Sequence, residues 1–424
     1  MAWGLRRGNG NAESYPNRGA GINPAGPCNP PPIRRHSTGT HPPSGRDAMD
    51  TPLVQWIRQR IEADGPVPFE RFMDWALYHP RRGYYTSGRV RVGHDEGDFT
   101  TSPHLSRLFA RCLARLVEAA DRALGAPDPL VVVEGGPGEG RLARDLLDTW
   151  AERAPGLYGR LLYRLDETSP ALERRQGELL AAHGSRVLRG FPPKPFQGVY
   201  LSNELVDAFP VHRMVRRGGE LREIHVSWID GAFVEVEAPP SRPELAAYLE
   251  EEGIDLPEGC QAEVNLRALQ WMAEVGRRLA RGYAVTVDYG DEGARLYGPH
   301  RPEGTCVAYR GHTLSTDLLA TPGDQDLTAH VNFSALRREG ARWGLGEARL
   351  LTQRDFLFAL GLSREVEALE TQGLGEIERL EARRALAPLL LPGPGMGESF
   401  KALVQAKGVS LEALPLDPLG GLSP

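Results

Sequence analysis

Residues Val131 to Gly140 read Val-Val-Val-Glu-Gly-Gly-Pro-Gly-Glu-Gly, and no other stretch restricts the fold as much. An apolar run from Leu130 to Val133 ends in one acid and a glycine-dense turn. Arg141, Leu142, Ala143, Arg144, Asp145, Leu146 and Leu147 follow with helical spacing. Strand, tight loop and helix in that order open a nucleotide-type α/β domain. Glycines at such a place keep Cβ atoms out of the way, so that backbone N–H groups can approach a ligand closely.

The spacing separates the candidate ligands. The pattern is acid-x-Gly-x-Gly-x-Gly, with Glu134, Gly136, Gly138 and Gly140, and Gly135 beside the acid. A dinucleotide fold needs G-x-G-x-x-G, which places a small residue where Arg141 stands. A phosphate-binding P-loop needs a following Gly-Lys-Ser/Thr, and none is present. The acid before the first glycine is similar to the first-strand loop of S-adenosylmethionine (SAM) methyltransferases. That ligand carries a cationic sulfonium and no phosphate, so neighbouring acids suit it better than a lysine. An ordinary Gly-rich βα turn explains the same spacing, and the motif alone does not separate the two.

Two later junctions carry further acids. Tyr163 to Leu165 is a short apolar segment followed by Asp166-Glu167-Thr168-Ser169-Pro170 and a helical stretch. An acid at the end of a second strand is where a cofactor ribose is held by its hydroxyls. A helix N-terminal acid favoured by the dipole is the plainer explanation. The third junction, Gly198 to Pro210, delivers Asn203, Glu204 and Asp207 to the carboxyl end of an apolar strand, where ligands of open α/β sheets bind. Helix capping accounts for Asn203. It leaves Glu204 and Asp207 unexplained, and polar groups there are costly to bury unless paired.

With these stretches in place the chain resembles a family of SAM-dependent methyltransferases that includes the bacterial MidA-like proteins and the mitochondrial complex I assembly methyltransferase. The resemblance runs from about residue 52 to about 407. It rests on Gly97-Asp98-Phe99-Thr100-Thr101-Ser102-Pro103, the Glu134–Gly140 loop, Glu167 to Pro170, Ser202 to Pro210 and Asp288-Tyr289-Gly290. It continues through Gly304-Thr305, Tyr309-Arg310-Gly311-His312, Asp326 to Phe333, Thr352-Gln353 and Met396-Gly397. There are departures: His104 stands where the family usually has Glu, and Asp166 where it usually has an apolar residue, which favours Glu167 for the ribose.

The resemblance implies a class I SAM methyltransferase fold, with a Rossmann-like, mostly parallel seven-stranded sheet and one antiparallel edge. It implies SAM as cofactor, held by Glu134, Gly135, Gly136, Gly138, Gly140 and Glu167, with no metal. Asn203, Glu204 and Asp207 are the expected catalytic residues. The implied activity is protein arginine N-methylation of a respiratory complex I subunit or similar protein, by a chain that is homodimeric, cytoplasmic in a bacterium and mitochondrial in a eukaryote. Carboxylates suit that chemistry, because they grip a planar guanidinium bidentately and fix one nitrogen in line. A non-catalytic SAM-binding assembly scaffold and a nicotinamide-dependent oxidoreductase are the alternatives. Retention of the three polar residues argues against the first, and Arg141 against the second.

Composition bounds the rest. The chain has 424 residues, 41% hydrophobic and 25% charged, with a net charge of −6, which argues against general nucleic-acid binding. No apolar run approaches the length of a membrane span. Cys28, Cys112, Cys260 and Cys306 show no paired spacing and read as free thiols in a reducing compartment. Residues 1–48 are a Gly- and Pro-rich tail without apolar periodicity. The tail lacks a secretory h-region, and its arginines raise a transit peptide whose helix the prolines spoil. A translation start at Met49 is the third reading. Residues 49–128 are expected to form a helical cover over the cofactor side, with Thr51-Pro52 and Ser102-Pro103 as capped starts. The methyltransferase domain spans 129–407. It carries an antiparallel β insertion at about 211–260, a helix from about Ala262 to Arg281, and a lid-like loop at about 291–333 with His300, His312 and His330. Arg364 to Leu386 reads as a charged helix with a solvated face, and 408–424 as a C-terminal tail.

Overall fold

Seven strands form the main path of the central sheet, with the two-residue strand Val331–Asn332 as an eighth beside the end of Leu279–Asp291, and their residues say why. The seven are β1 (Leu130–Gly135), β2 (Leu161–Asp166), β3 (Val187–Arg189), β4 (Phe196–Asn203), β5 (Leu279–Asp291), β6 (Glu347–Thr352) and β7 (Phe400–Lys407). The computed structural model describes residues 51–88, 107–311, 313–371, 380, 384, 386–391 and 396–418. The 1–48 tail, the Gly97–His104 stretch with its Ser102-Pro103 start, and His312 lie outside the described residues.

The hydrogen-bonded order is β6-β7-β5-β4-β1-β2-β3. The five strands from β5 to β3 are parallel. β7 runs antiparallel to both of its neighbours, β5 and β6. The antiparallel strand is therefore one place in from the edge, not the edge itself, which corrects the expectation. Its residues explain the placement. Ala402, Leu403 and Val404 are buried on both faces, as an interior strand requires, whereas Glu347 and Arg349 of β6 are polar and suit an exposed margin.

Helices cover both faces. Arg107–Leu124 and Arg141–Arg153 lie on one side, where Phe109, Leu113, Leu146 and Trp150 share a cluster with Val132, Tyr163 and Val285. Leu266–Arg278 and Phe333–Arg342 lie on the other, where Met272, Val275, Phe333 and Leu336 pack with Val133, Tyr200 and Leu403. Apolar residues on both faces of a parallel sheet are what such a three-layer arrangement needs.

The antiparallel insertion comprises His212–Arg217, Glu220–Ile229, Ala232–Ala238 and Gln261–Val264, joined at its edge by Val67–Pro68. Gln261–Val264 pairs with His212–Val215, so the insertion runs past 260. The helix expected from about 262 begins at Leu266, where the Asn265 side chain accepts the Ala268 N–H at 2.8 Å.

The 49–128 segment does not act as one layer. Helices Pro52–Asp64 and Phe69–Tyr78 bury Leu53, Ile57, Phe69, Phe72 and Met73 against Val226 and Phe233 of the insertion. Thr51 caps the first of them through the Val54 N–H at 3.2 Å. Among the described residues of this segment, only Arg107–Leu124 packs on the central sheet.

The 291–333 segment is not structureless. Val307–Arg310, Thr313–Ser315 and Asp326–Thr328 form a small antiparallel sheet, and Ala308, Leu318 and Leu327 pack into the same cluster as the first two helices. Of the charged helix expected over 364–386, Leu362–Thr371 is helical and most of the remainder lies outside the described residues. The stretch read as a C-terminal tail begins inside the core, since Leu414 and Leu416 are buried with the helical face of the sheet.

Candidate active site

The glycine loop leaves β1 at the carboxyl end of the sheet. Gly136, Gly138 and Gly140 adopt φ of +62°, +53° and +87°, a region that favours glycine. Their surroundings differ. A Cβ on Gly135 would lie 2.1 Å from the Tyr200 hydroxyl, and one on Gly136 would lie 2.7 Å from Leu205 Cδ1. A Cβ on Gly138 would meet nothing within 4 Å. The loop is thus pressed against β4 and the turn after it, and is open at Gly138. Behind it begins the thirteen-residue helix Arg141–Arg153, whose first N–H groups have no helical partner. That open cradle fits a ligand that comes close to the backbone.

Glu134 is buried and accepts the Tyr163 hydroxyl at 2.6 Å. Burial pushes its carboxyl up to about 7, with the Tyr163 bond opposing and the charge of Glu167 adding to the rise. Its Oε2 faces the sheet layer at Tyr163, so Glu134 supports the loop from below.

Glu167 uses Oε1 to accept the N–H groups of Thr168 and Ser169, both at 2.8 Å. Burial lifts it to about 7 against those two bonds. Its Oε2 stands 3.4 Å from the Gln176 amide nitrogen, which donates to the Gly138 carbonyl at 2.6 Å. Gln176 therefore joins the glycine loop to Glu167. Sequence reasoning missed it. The one available signal was an amide inside an otherwise charged helix, and its full burial is a tertiary fact. Asp166 contributes through its backbone, since its carbonyl accepts the Gly136 N–H at 3.1 Å.

No helix follows β4. The chain turns through Glu204 to Pro210 and enters His212–Arg217 directly, so Asn203 is not a helix cap. Its amide donates instead to Glu204 Oε1 at 2.9 Å. Glu204 stands at φ +52°, an unusual conformation for a side chain of its size, and its N–H donates to the Val287 carbonyl at 2.9 Å. The N–H groups of Val206 and Asp207 both donate to Asp288 Oδ2, at 2.9 and 3.3 Å. Asp288 Oδ1 accepts the Tyr289 N–H at 3.0 Å.

The structure thus brings Asn203, Glu204 and Asp207 together with Asp288 and Tyr289, at the carboxyl ends of β4 and β5. Leu205 of the same turn lies against Gly136, so the turn and the glycine loop adjoin.

Electrostatics mark this corner. Burial pushes the Asp207 carboxyl up to about 6. Asp288 is raised well above the usual range by burial and then by the charges of Asp207 and Glu204. Asn203 Oδ1 is buried and lacks a hydrogen-bond partner among the described residues, and the buried Asp207 carboxyl and Thr328 hydroxyl both lie within reach of the Tyr289 hydroxyl. An unpartnered buried polar atom is rare in folded proteins and calls for a ligand or water. The Tyr289 ring meets the His330 ring edge-on at 5.2 Å. Burial, with Arg301 and Lys401 nearby, lowers His330 to about 4 and keeps it neutral. His300 lies apart, its Nε2 2.9 Å from the Arg295 carbonyl.

Comparison with known proteins places this geometry. Residues 112–348 match the family model described as S-adenosyl-L-methionine-dependent methyltransferase. The mitochondrial protein arginine methyltransferase NDUFAF7 of Bos taurus is 30% identical, over 87% of this chain and 86% of its own. Its Drosophila melanogaster homolog is 29% identical over 99% of both chains. A crystal structure from Burkholderia thailandensis, bound to S-adenosyl-homocysteine, is 34% identical with a TM-score of 0.78, over 90% of this chain and 97% of that one.

Proposed function

We propose, from the premise that this chain belongs to the family of S-adenosyl-L-methionine-dependent methyltransferases and has their class I fold, that its methyl acceptor is an arginine guanidinium in a protein substrate. The chain is an enzyme and its methyl donor is SAM. One observation supports the arginine reading above others. Asp207 is a buried carboxyl beside Glu204 and Asp288 at the ligand-binding end of the sheet, close enough that the charges of Asp207 and Glu204 both raise Asp288. Such a cluster gains most from a cation rich in N–H donors, and a guanidinium has five in a fixed fork. The relatives in Bos taurus and Drosophila melanogaster bear the name of protein arginine methyltransferases.

In this proposal Gly135, Gly136, Gly138 and Gly140 form the cofactor cradle, Glu167 takes the ribose hydroxyls, and Glu134 sets the loop through Tyr163. Bound SAM supplies an electrophilic methyl group. Asn203 orients Glu204 through its amide. Glu204 and Asp207 hold the guanidinium so that one nitrogen faces the cofactor side, which removes the entropy of finding that orientation. Asp207, pushed up to about 6, is mostly ionised at neutral pH and basic enough to take the proton the nitrogen loses. Asp288 fixes the turn by accepting two of its N–H groups, and the 291–333 segment walls the acceptor side.

The proposed substrate is a subunit of respiratory complex I, and the proposed assembly is a homodimer, which sedimentation would measure. The proposed compartment follows the host: cytoplasm in a bacterium, mitochondrion in a eukaryote, as in the names of the animal relatives. Mass spectrometry of complex I subunits from host cells with and without this protein tests the substrate. One arginine should lose its methyl groups in the deletion strain. Identical arginine methylation in both strains would sink the assignment.

A further inference from the structure

Beyond β4 and β5, one constellation is used by nothing described so far. Tyr85 donates its hydroxyl to Asp326 Oδ1 at 2.8 Å across 241 residues of sequence. Asp326 is buried at the start of the Asp326–Thr328 strand. In the register of that small sheet Tyr309 lies directly opposite Asp326, so the two side chains share a face. Thr328, two residues on and on the same face, lies buried within reach of the Tyr289 hydroxyl. The Tyr85 ring stacks on Tyr78 with centroids 5.6 Å apart. The Tyr78 hydroxyl in turn donates to the Ala208 carbonyl at 3.0 Å, within the turn that holds Asp207. From the other side the Ala329 N–H donates to the Asp207 carbonyl at 3.0 Å.

Two separate segments therefore converge on the Asp207 turn. The same constellation reaches the cofactor side. The Ser169 hydroxyl donates to the Tyr85 carbonyl at 3.1 Å, and the Ser169 N–H is one of the two held by Glu167. Tyr85 is tied at its backbone to the loop expected to hold the ribose, and at its hydroxyl to Asp326.

We propose that Asp326 is a second acid of the acceptor site, positioned by Tyr85, and that Tyr85 and Tyr309 form an aromatic wall that favours a planar guanidinium over an ammonium. This rests on the arginine reading and deepens it. A guanidinium presents two donor edges and a flat weakly hydrated face, so acids on two sides and a ring wall fit it. An ammonium is compact and strongly hydrated and gains less from such a wall. Asp207 and Asp326 both act electrostatically on the hydroxyls of Tyr85 and Tyr309, which places the two acids around those rings, and Tyr78 backs them with the Arg267 guanidinium 5.1 Å from its own ring. Tyr85 is a positioning residue in this scheme, and Asp326 a ligand of the acceptor.

The test uses the full chain, tritiated SAM and, as acceptor, the protein extract of a host strain lacking this gene, with hydrolysis and amino acid analysis of the label. Asp326→Asn keeps an oxygen for the Tyr85 hydroxyl and removes the charge. Its transfer rate at limiting acceptor should fall about 10- to 100-fold, the range for losing a hydrogen bond to a charged group. Its affinity for S-adenosylhomocysteine and its melting temperature should match wild type. Tyr85→Phe should shift the acceptor dependence in the same direction by a smaller factor, and the two changes together should cost less than their product. Wild-type rates in Asp326→Asn, or a loss of S-adenosylhomocysteine binding in it, would overturn the second acid. Label on lysine instead of arginine in the wild-type reaction would overturn both the wall and the arginine reading. Label on arginine with an unaffected Asp326→Asn would leave that reading standing and remove this one alone.

Discussion

The Gln176 side chain donates to the Gly138 carbonyl at 2.6 Å while the same nitrogen stands 3.4 Å from Glu167 Oε2. One buried amide thus fixes the distance between the glycine loop and the acid of the second strand. Gln176→Leu fills similar space and removes both contacts. It should weaken S-adenosylhomocysteine binding by about 0.5–1.5 kcal/mol, the usual net worth of one hydrogen bond. Glu167→Ala should cost more, about 1.5–3 kcal/mol, because a charged acceptor is lost. Calorimetry decides both, and an unchanged affinity in Glu167→Ala would remove the ribose assignment.

The two central glycines should fail for different reasons. Gly136→Val forces a branched side chain into Leu205 at a positive φ, so melting temperature and binding should both fall. Gly138→Val strains the backbone at φ +53° but points into open space over the loop. The fold should survive with a smaller loss, of about 1–3 kcal/mol for that conformation, while cofactor binding is lost. Equal melting temperatures for the two variants would contradict this division.

Glu204→Gln and Asp207→Asn keep shape and remove charge. Cofactor affinity should persist in both, while methyl transfer falls by roughly 10²–10³, the typical cost of one preorganised electrostatic contact. If both variants lost cofactor binding instead, these acids would belong to the donor side. Glu204→Gly adds a separate expectation. Relief of the φ +52° backbone should raise the melting temperature even as activity disappears, a trade common at functional positions.

Asp207 makes a pH prediction with a definite sign. Its folded value of about 6 lies above the ordinary value of about 3.9. Its contribution to stability is therefore fully present below about pH 4 and is lost as pH rises through about 6. Asp207→Asn should melt higher than wild type at pH 8 and show no such gain at pH 4. Activity runs the other way: wild-type transfer should decline below about pH 6 as Asp207 takes up a proton. A gain in melting temperature that did not depend on pH would point to packing and not to charge.

Local pattern carried a large part of this protein. The Leu130–Gly140 stretch announces strand, glycine loop and helix because apolar runs, positive-φ turns and helical spacing are properties of neighbouring residues. The Asn203–Asp207 cluster was legible for the same reason, since a buried strand that ends in three polar groups is anomalous by itself. The errors fell where distant partners decide. Gln261–Val264 looked like the start of a helix, and becomes a strand because His212–Val215 lies beside it. The pattern predicts an antiparallel strand at the edge, yet β6 covers the outer side of β7.

The sequence by itself determined the first strand–loop–helix unit, the glycine cradle and the acids at the strand ends, because each is written in contiguous residues. Tertiary structure alone decided what those acids face. Asp288 reaches the Asp207 turn across 81 residues, and Asp326 meets Tyr85 across 241. Gln176 becomes a bridge only once its helix is packed. The physical reason is that burial and hydrogen-bond partnership, which set a carboxyl's charge and reach, depend on the segments that surround it in space, and no local pattern encodes them.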